Sequence, residues 1–334
     1  MQSTLPLVVV DGEGPSLFGR NWLRVIKLDW AQFNKVSGAT NDRLEGILKK
    51  HAAVFEPGLG TVKGVKAKLY PKKDAKPIFC HPRQVPYAIR QKVEQEIERQ
   101  VAEGIIEPVQ FSEWATPVVP VLKKDGSIRL CGDYKVTVNR ATETDTYPLP
   151  IIDEMLTSVS GGKVFTKLDL AHAYQQVELD EESRKMVTNT TQRGRYKDKR
   201  LPFGVASAPS MFQRIIESLL QGIPGFTVFI DDILISGVDK EDNLDKLDQV
   251  LTRLEEADMR LKRVKCSFLL PSVDYLGYLI SGAGIQPNSE KVEAVHKAPA
   301  LSDVSQLKSF LGLVNYYGKF LPICPLFWLH CTRC

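Results

Sequence analysis

Two adjacent carboxylates, Asp231 and Asp232, interrupt an apolar, β-branched run over residues 226–237. The segments on either side of the pair, Phe226–Ile230 and Ile233–Ile235, each have the composition of a short buried strand. A break between two such strands predicts a tight hairpin with the carboxylates at its tip. Two carboxylates on a rigid hairpin could hold Mg²⁺ if a third came from another strand, whereas in an ordinary turn they would only be solvated.

A candidate for the third carboxylate is Asp169, which lies in the alternating segment Val164–Leu170. Three carboxylates converging from two strands would suit a pair of divalent ions about 4 Å apart, as in polymerases and nucleases. One ion would activate an attacking hydroxyl, and the other would hold a triphosphate and the leaving pyrophosphate. Spacing alone leaves this interpretation open, because many Asp residues end strands.

The composition bounds the class of protein but not its activity. The 334 residues are enough for about two domains, and 43% hydrophobic with 25% charged residues is ordinary for a globular protein. The net charge of +4 is mild, so its distribution is more informative. Seven basic residues and one acidic residue lie between Arg184 and Arg200, and a second basic cluster covers residues 260–265. Such patches are either phosphate-binding surfaces or solvated faces.

The six cysteines are sparse, which is typical of reduced thiols in an intracellular protein. Cys331 and Cys334, with Cys324 nearby, have a spacing that zinc could use, but one pair is a weak indication. The apolar runs are shorter than the ~20 residues that a membrane span needs. Leu5–Val10 lacks the basic leader and cleavage site of a signal peptide. We therefore expect an intracellular protein that does not engage a membrane.

The elements that must position these residues alternate between helices and strands. Amphipathic periodicity and helix start and stop signals predict helices over residues 87–103, 151–158, 207–220, 244–254 and 302–317. Ser207 has the composition of an N-cap, with Pro209 in the first turn. Further strands are predicted over residues 105–109, 117–122, 127–131 and 273–280. Helices interspersed with hairpins predict an α+β architecture.

A basic hairpin precedes the carboxylates in the chain. Lys123 and Lys124 fall in its predicted turn, and Arg129 lies in its second strand. The hairpin is either an ordinary surface turn, with lysines for solubility, or a fingertip that folds over a triphosphate.

A series of motifs then occurs in an order typical of one family. The motifs are Lys123-Lys124-Asp125-Gly126-x-x-Arg129, Lys167-Leu168-Asp169-Leu170, Leu201-Pro202-Phe203-Gly204 with Ser207-Ala208-Pro209 and Phe212-Gln213, Phe229-Ile230-Asp231-Asp232, Tyr275-Leu276-Gly277 and Phe310-Leu311-Gly312-x-x-Asn315-Tyr316-Tyr317. In this order, over roughly residues 80–320, the chain resembles the reverse transcriptase of gypsy-type long-terminal-repeat retrotransposons. Residues 16–23 resemble the C-terminal end of a retroviral-type aspartic protease, without its catalytic loop.

The resemblance implies a right-hand polymerase of fingers, palm and thumb, with an antiparallel palm sheet and helices on one face. It implies the following division: a protease remnant (1–33), a linker (34–80), fingers and palm (81–282), a thumb (283–322) and an unrelated tail (323–334). The implied activity is RNA-directed DNA synthesis with two Mg²⁺ ions, for which Mn²⁺ could substitute. The implied metal ligands are Asp169, Asp231, Asp232 and the main-chain carbonyl of Leu170.

The resemblance also implies substrate contacts and partners. Lys123, Lys124 and Arg129 would contact the triphosphate of a dNTP. Tyr174, which by itself indicates only core packing, would exclude a ribose 2′-hydroxyl, and Phe203 would line the dNTP pocket. The primer grip would be Leu276-Gly277-Tyr278. The partners would be an RNA or DNA template, a DNA or tRNA primer, and dNTPs.

Two departures from the family pattern favour an alternative. Asp198 and Arg195 stand where the family usually has an aromatic and an aliphatic residue, which predicts a weakened loop before Leu201-Pro202-Phe203-Gly204. The alternative is a catalytically silent relic that at most binds nucleic acid.

Overall fold

A computed structural model describes residues 42–123, 126–288, 292–293, 297, 303–317 and 320. The segments predicted as a protease remnant and as a tail lie outside these residues, as do Lys124 and the Cys331–Cys334 pair. The chain divides into two compact units, Met1–Lys50 and His51–Cys334. In the first unit, residues 42–50 form a helix. All elements named below belong to the second unit.

The second unit alternates helices and strands, as the periodicity predicts. Its helices are α1 (Tyr87–Ala102), α2 (Val138–Ala141), α3 (Ile152–Ser158), α4 (Glu181–Met186), α5 (Ala208–Leu220), α6 (Lys240–Glu256) and α7 (Val304–Tyr316). Its strands are β1 (Lys66–Ala67), β2 (Ile106–Val109), β3 (Thr116–Leu122), β4 (Ile128–Gly132), β5 (Val164–Asp169), β6 (Glu178–Leu179), β7 (Thr188–Thr191), β8 (Gly194–Asp198), β9 (Phe226–Phe229), β10 (Asp232–Gly237), β11 (Ser267–Leu270), β12 (Ser272–Tyr275), β13 (Tyr278–Ser281) and β14 (Gly284–Pro287).

The sheet that carries Asp169 and Asp232 is four-stranded and antiparallel, in the order β11-β5-β10-β9. One of its two central strands, β10, is covered on both faces, and Ile233, Leu234 and Ile235 are fully buried. This explains why the strand is a continuous apolar run and not an alternating one. The two long helices α5 and α6 pack against its strands. The predicted antiparallel palm sheet is therefore present, and the architecture is α+β.

A buried cluster beside this sheet joins three parts of the chain. Met155 and Leu156 of α3, Phe165 of β5, and Tyr275 and Tyr278 of the β12–β13 hairpin are all buried in it. The β12–β13–β14 sheet is antiparallel throughout. Through this cluster, the small sheet packs against the strands that bear the carboxylates.

The second large sheet has the order β2-β8-β7-β3-β4. Its predicted basic hairpin, β3–β4, is present and is closed by a bond from the Lys123 N–H to the Ser127 carbonyl at 2.9 Å. Helix α1 packs on this sheet through Val93 and Ile97, which are buried against Ile105 and Ile128. Helix α1 therefore supports the sheet from which this hairpin extends.

Ser207 is the N-cap residue of α5 and Pro209 lies in the first turn, as predicted, but the expected capping hydrogen bond is absent. The backbone of Ser207 is already helical, with φ −83° and ψ −8°, and its side chain does not cap α5. Its hydroxyl accepts from the Asp145 N–H at 3.0 Å and donates to the Glu143 carbonyl at 3.3 Å. These two hydrogen bonds to distant residues outweigh the local preference of the serine hydroxyl for capping the helix.

The helices that the structure describes include none long and apolar enough to cross a membrane. Cys80, Cys131 and Cys266, the cysteines within the described residues, are free thiols.

Candidate active site

Strand pairing brings the predicted carboxylates together. In the register between β5 and β10, Asp232 lies directly opposite Asp169. Side chains directly opposite each other in an antiparallel pair share a face, with Cβ atoms about 5 Å apart. The Leu170 N–H donates to the carbonyl of Asp231 at 2.9 Å, which places the hairpin tip beside the end of β5. Two strands more than sixty residues apart in the sequence thus converge at one edge.

The hairpin tip is a tight turn formed by Ile230 and Asp231, as the break in the apolar run predicts. Strand β9 ends at Phe229 and β10 begins at Asp232. Ile230 has φ +56°, in the left-handed region that β-branched residues avoid. The turn presents Asp231 to solvent, whereas Asp169 is only 8% exposed.

The electrostatics of the site are those of crowded carboxylates. Although Asp231 is exposed as a residue, neighbouring protein atoms remove part of the hydration of its carboxylate, which raises its pKa, and repulsion from Asp232 and Asp169 adds to the rise. Lys265 Nζ lies 2.8 Å from Asp169 Oδ2, and this bond raises the pKa of Lys265. Lys167 Nζ lies 3.2 Å from Asp232 Oδ1. Sequence reasoning did not anticipate these lysines as partners, because each lies on a different strand or turn from its carboxylate.

The oxygen atoms available at this site are chemically suited to a hard divalent cation. Carboxylate and carbonyl oxygens are the ligands that Mg²⁺ takes in proteins, and an added cation would relieve the repulsion at Asp231. Within the described part of the chain, no three Asp, Glu, His or Cys side chains are grouped to hold a metal ion as they stand. Two of the three carboxylates are turned instead toward Lys265 and Lys167.

Three of the residues expected to contact a dNTP form a continuous stack. The Tyr174 and Phe203 rings have centroids 5.0 Å apart, and the Arg129 guanidinium lies 5.5 Å from the Phe203 centroid. Burial raises the pKa of Tyr174 to about 12, and the charge of Asp231 adds to this rise. The stack therefore connects the basic hairpin to the carboxylate edge. Lys123 is exposed near the hairpin tip.

The expected primer-grip residues lie in and beside the turn between β12 and β13. Leu276 has φ +49° and Gly277 has φ +84°. The Tyr316 hydroxyl donates to the Leu276 carbonyl at 2.7 Å, and the Tyr317 hydroxyl donates to the Gly277 carbonyl at 3.0 Å. The positive φ at position 277 favours glycine, and a Cβ there would also approach the Tyr317 hydroxyl to 3.0 Å.

The same hairpin touches the carboxylate strand directly. The Tyr275 hydroxyl donates to the main-chain carbonyl of Asp232 at 3.2 Å. The Tyr278 ring stacks on Tyr316, with centroids 5.3 Å apart. Helix α7, the turn and the carboxylate edge are thus linked through tyrosines.

Residues 121–280 match the family described as reverse transcriptase (RNA-dependent DNA polymerase). The chain contains a reverse transcriptase domain. Among curated relatives, the Pol polyprotein of transposon opus from Drosophila melanogaster is 33% identical over 84% of this chain and 29% of its own length. That of transposon gypsy, also from D. melanogaster, is 33% identical over 74% of this chain and 24% of its own length. A Caenorhabditis elegans protein, K02A2.6, is 35% identical over 94% of this chain and 25% of its own length. The chain thus spans about a quarter of the length of these relatives.

Solved structures bear out the fold. A foamy viral protease–reverse transcriptase in complex with an RNA/DNA hybrid superimposes with a TM-score of 0.75 at 23% identity, covering 87% of this chain and 40% of that one. A second structure of that enzyme, in complex with double-stranded DNA, gives a TM-score of 0.76 at 23% identity, covering 91% of this chain and 54% of that one. The right-hand polymerase architecture expected from the motifs is confirmed.

Much of the first basic patch of the reverse transcriptase domain is neutralised within the protein. Four of its residues pair with carboxylates: Arg184 with Glu181, Lys185 with Glu182, Arg193 with Glu98, and Lys197 with Glu107. Arg195 lies over the Phe79 ring, 5.7 Å from its centroid. These contacts favour the solvated-face interpretation of the patch over a phosphate-binding surface.

The departure at Asp198 places a carboxylate in the interior of the reverse transcriptase domain. Asp198 is 5% exposed, and its carboxylate accepts from the Tyr134 hydroxyl at 2.7 Å and from the Asn189 side chain. Burial raises its pKa to about 7, although both hydrogen bonds lower it. This residue ends β8, three positions before the Leu201-Pro202-Phe203-Gly204 turn that carries one ring of the aromatic stack.

Proposed function

We propose that this chain is the polymerase portion of a retrotransposon Pol polyprotein and that it adds dNTPs to the 3′-hydroxyl of a primer paired to an RNA template. The observation that carries the proposal is the pairing of Asp232 opposite Asp169, with Asp231 beside them. Three carboxylates at one sheet edge, next to an aromatic stack and a basic hairpin, suit nucleotidyl transfer better than hydrolysis by a single carboxylate.

Asp169, Asp231 and Asp232, with the main-chain carbonyl of Leu170, would hold two divalent ions. Reverse transcriptases depend on divalent metals, and Mg²⁺ is the expected ion, with Mn²⁺ as a substitute. When bound, the ions would activate the primer hydroxyl and neutralise charge on the triphosphate. Lys265 and Lys167 must release Asp169 and Asp232 for this to occur, and their side chains, 53% and 25% exposed, can turn toward solvent.

The other proposed contacts with the dNTP and the primer are inferred from where the residues lie. Lys123, Lys124 and Arg129 would pair with the triphosphate, since flexible cations on a hairpin can close over phosphates. Phe203 would form the floor of the dNTP pocket. Leu276, Gly277 and Tyr278 would hold the primer backbone near the carboxylates.

The template and primer are proposed from the general behaviour of the family. The foamy viral enzyme was solved with an RNA/DNA hybrid and with double-stranded DNA. We infer that this chain binds a duplex of template and primer through its backbone phosphates, without reading sequence.

Primer extension tests the function directly. A DNA primer annealed to a homopolymer RNA template should be extended in the presence of the complementary dNTP and Mg²⁺ or Mn²⁺. Removal of the ions by EDTA should abolish extension, because the carboxylates alone cannot neutralise the developing charge. Extension that persists in EDTA would contradict the two-metal proposal.

One specific observation favours the relic alternative: the carboxylate of Asp198 is buried three positions before the turn that carries Phe203. The alternative predicts that the chain still binds template and primer, measured by fluorescence anisotropy, but extends nothing. Extension above background removes this alternative.

Tyr174→Ala should weaken discrimination against ribonucleotides. The 9% exposed ring packs against Phe203, where it would meet a ribose 2′-hydroxyl. We expect the ratio of kcat/KM for dNTP over rNTP to fall about 10–100-fold, the range available to a steric pocket. Tyr174→Phe keeps the ring and is the matched control, with a ratio close to the wild type. Equal ratios for Ala and Phe would assign Tyr174 to core packing alone.

A further inference from the structure

A single glutamine holds the turn that presents Asp231. Gln213 lies on α5 and is fully buried. Its Nε2 donates to the carbonyl of Val228 at 2.8 Å, and its Oε1 accepts from the N–H of Ile230 at 2.7 Å. The two bonds bracket the end of β9 and reach the residue immediately before Asp231. The helix and the hairpin tip are therefore joined at this point.

The turn needs support because of the backbone of Ile230. At φ +56° the Cβ of an L-residue crowds its own backbone, and a β-branched side chain makes the conformation less favourable still. Such strain persists only where surrounding contacts impose it. If Ile230 relaxed to negative φ, the next peptide would rotate and the carboxylate of Asp231 would change direction.

The orientation of the Gln213 amide is itself fixed. Its Nε2 also donates to Glu217 Oε1 at 2.7 Å, and Glu217 Oε2 accepts from the Tyr147 hydroxyl. A carboxylate can only accept, so the amide nitrogen must face Glu217 and Val228. The amide oxygen is thereby left facing the N–H of Ile230.

We propose that Gln213 is a positioning residue for the polymerase reaction, and this inference rests on the proposed function. It sets the direction of Asp231 by fixing Ile230 in the left-handed conformation. Because Gln213 is fully buried, its loss should act on turnover and not on the binding of template and primer. A displacement of about 1 Å at a catalytic group is enough to cost about 10²-fold in rate.

The first test removes both bonds. Gln213→Met keeps the length of the side chain without its polar atoms. Hydrogen exchange at the Ile230 amide should accelerate about tenfold, the effect of one hydrogen bond of ordinary strength. The kcat for primer extension should fall about 10²-fold, with the Kd for template–primer within about twofold of the wild type. Gln249→Met, an exposed glutamine on α6, is the control and should leave all three values unchanged.

The second test distinguishes positioning from general destabilisation. Gln213→Glu keeps an oxygen for the Ile230 N–H but can donate to Val228 only when protonated. The carboxylate of Glu217 faces the new group and raises its pKa, with Tyr147 beyond it. The kcat of this variant, divided by that of the wild type at the same pH, should therefore rise as the pH falls. The corresponding ratio for Gln213→Met should stay level.

Several results would overturn the inference. These are unchanged exchange at Ile230 in Gln213→Met, wild-type kcat in that variant, or a flat pH ratio for Gln213→Glu with kcat falling only as the protein unfolds. A wild-type chain that extends no primer would remove the positioning role together with the proposed function. In that case exchange at Ile230 still decides whether Gln213 holds the turn, so the two failures remain distinguishable.

Discussion

Replacing Asp231 and Asp232 together by Asn is expected to abolish primer extension, with a loss of at least about 10³-fold in kcat/KM. The physical reason is that metal-assisted charge stabilisation contributes several kcal/mol to the transition state, and each 1.36 kcal/mol is a factor of ten. The Asn side chains keep the size of the carboxylates and remove only their charge. The measurement is single-nucleotide extension on an RNA template with Mg²⁺.

The matched control removes the same charge elsewhere. Asp153→Asn with Glu154→Gln neutralises an adjacent acidic pair that is exposed in the first turn of α3. It should retain extension close to the wild type, at a small cost in helix stability. Extension that survives the change at 231 and 232 would mean that a contaminating enzyme is responsible or that the carboxylates are not the active site.

Asp198→Asn is expected to stabilise the protein by up to about 4 kcal/mol at pH 8 and by almost nothing at pH 4. Burial raises the pKa of Asp198 from its ordinary value of 3.8 to about 7. A carboxyl with a raised pKa in the folded state contributes its full stability below pH 3.8, where both states are protonated. Between pH 3.8 and about pH 7 the Asp198 carboxyl ionises in the unfolded chain but stays protonated in the folded one. This contribution to the free energy of unfolding is therefore lost as the pH rises. A shift of this size corresponds to about 4 kcal/mol.

Chemical denaturation of wild type and variant from pH 4 to pH 8 measures this effect. The difference in free energy of unfolding isolates Asp198, because all other groups are common to both proteins. Asp74→Asn, at an exposed position, is the control and should give a small difference at every pH. A stabilisation by Asp198→Asn that does not depend on pH would show that the carboxyl is not protonated inside the fold.

The change at Asp198 should also affect primer extension. Tyr134 and Asn189 hold Asp198 at the end of β8, close to the turn that carries Phe203. If the buried charge loosens this region at high pH, Asp198→Asn should increase primer extension at pH 8 as well as stability.

Local sequence was sufficient for most elements because their signals lie within a few residues of one another. The i+4 spacing of Ile89, Val93 and Ile97 predicted α1, and the apolar runs around the Asp pair predicted β9 and β10. The hairpin β7–β8 was missed because Thr188–Thr191 and Gly194–Asp198 are mostly polar and lack the alternation of a half-buried strand. Ser207 was correctly predicted at the N-cap position, but local sequence could not show that its hydroxyl bonds instead to Glu143 and Asp145, more than sixty residues away.

The order of the motifs was enough to identify the family, and local patterns were enough to find two strand ends with carboxylates and the aromatic and basic residues near them. How these segments pair and pack could be seen only in the folded protein. The register that sets Asp232 opposite Asp169, the lysines that hold both, and the glutamine that fixes Ile230 depend on contacts between distant segments. A strand signal does not specify its partner, because pairing is chosen by the packing of the whole core and a one-residue slip would turn every side chain to the other face.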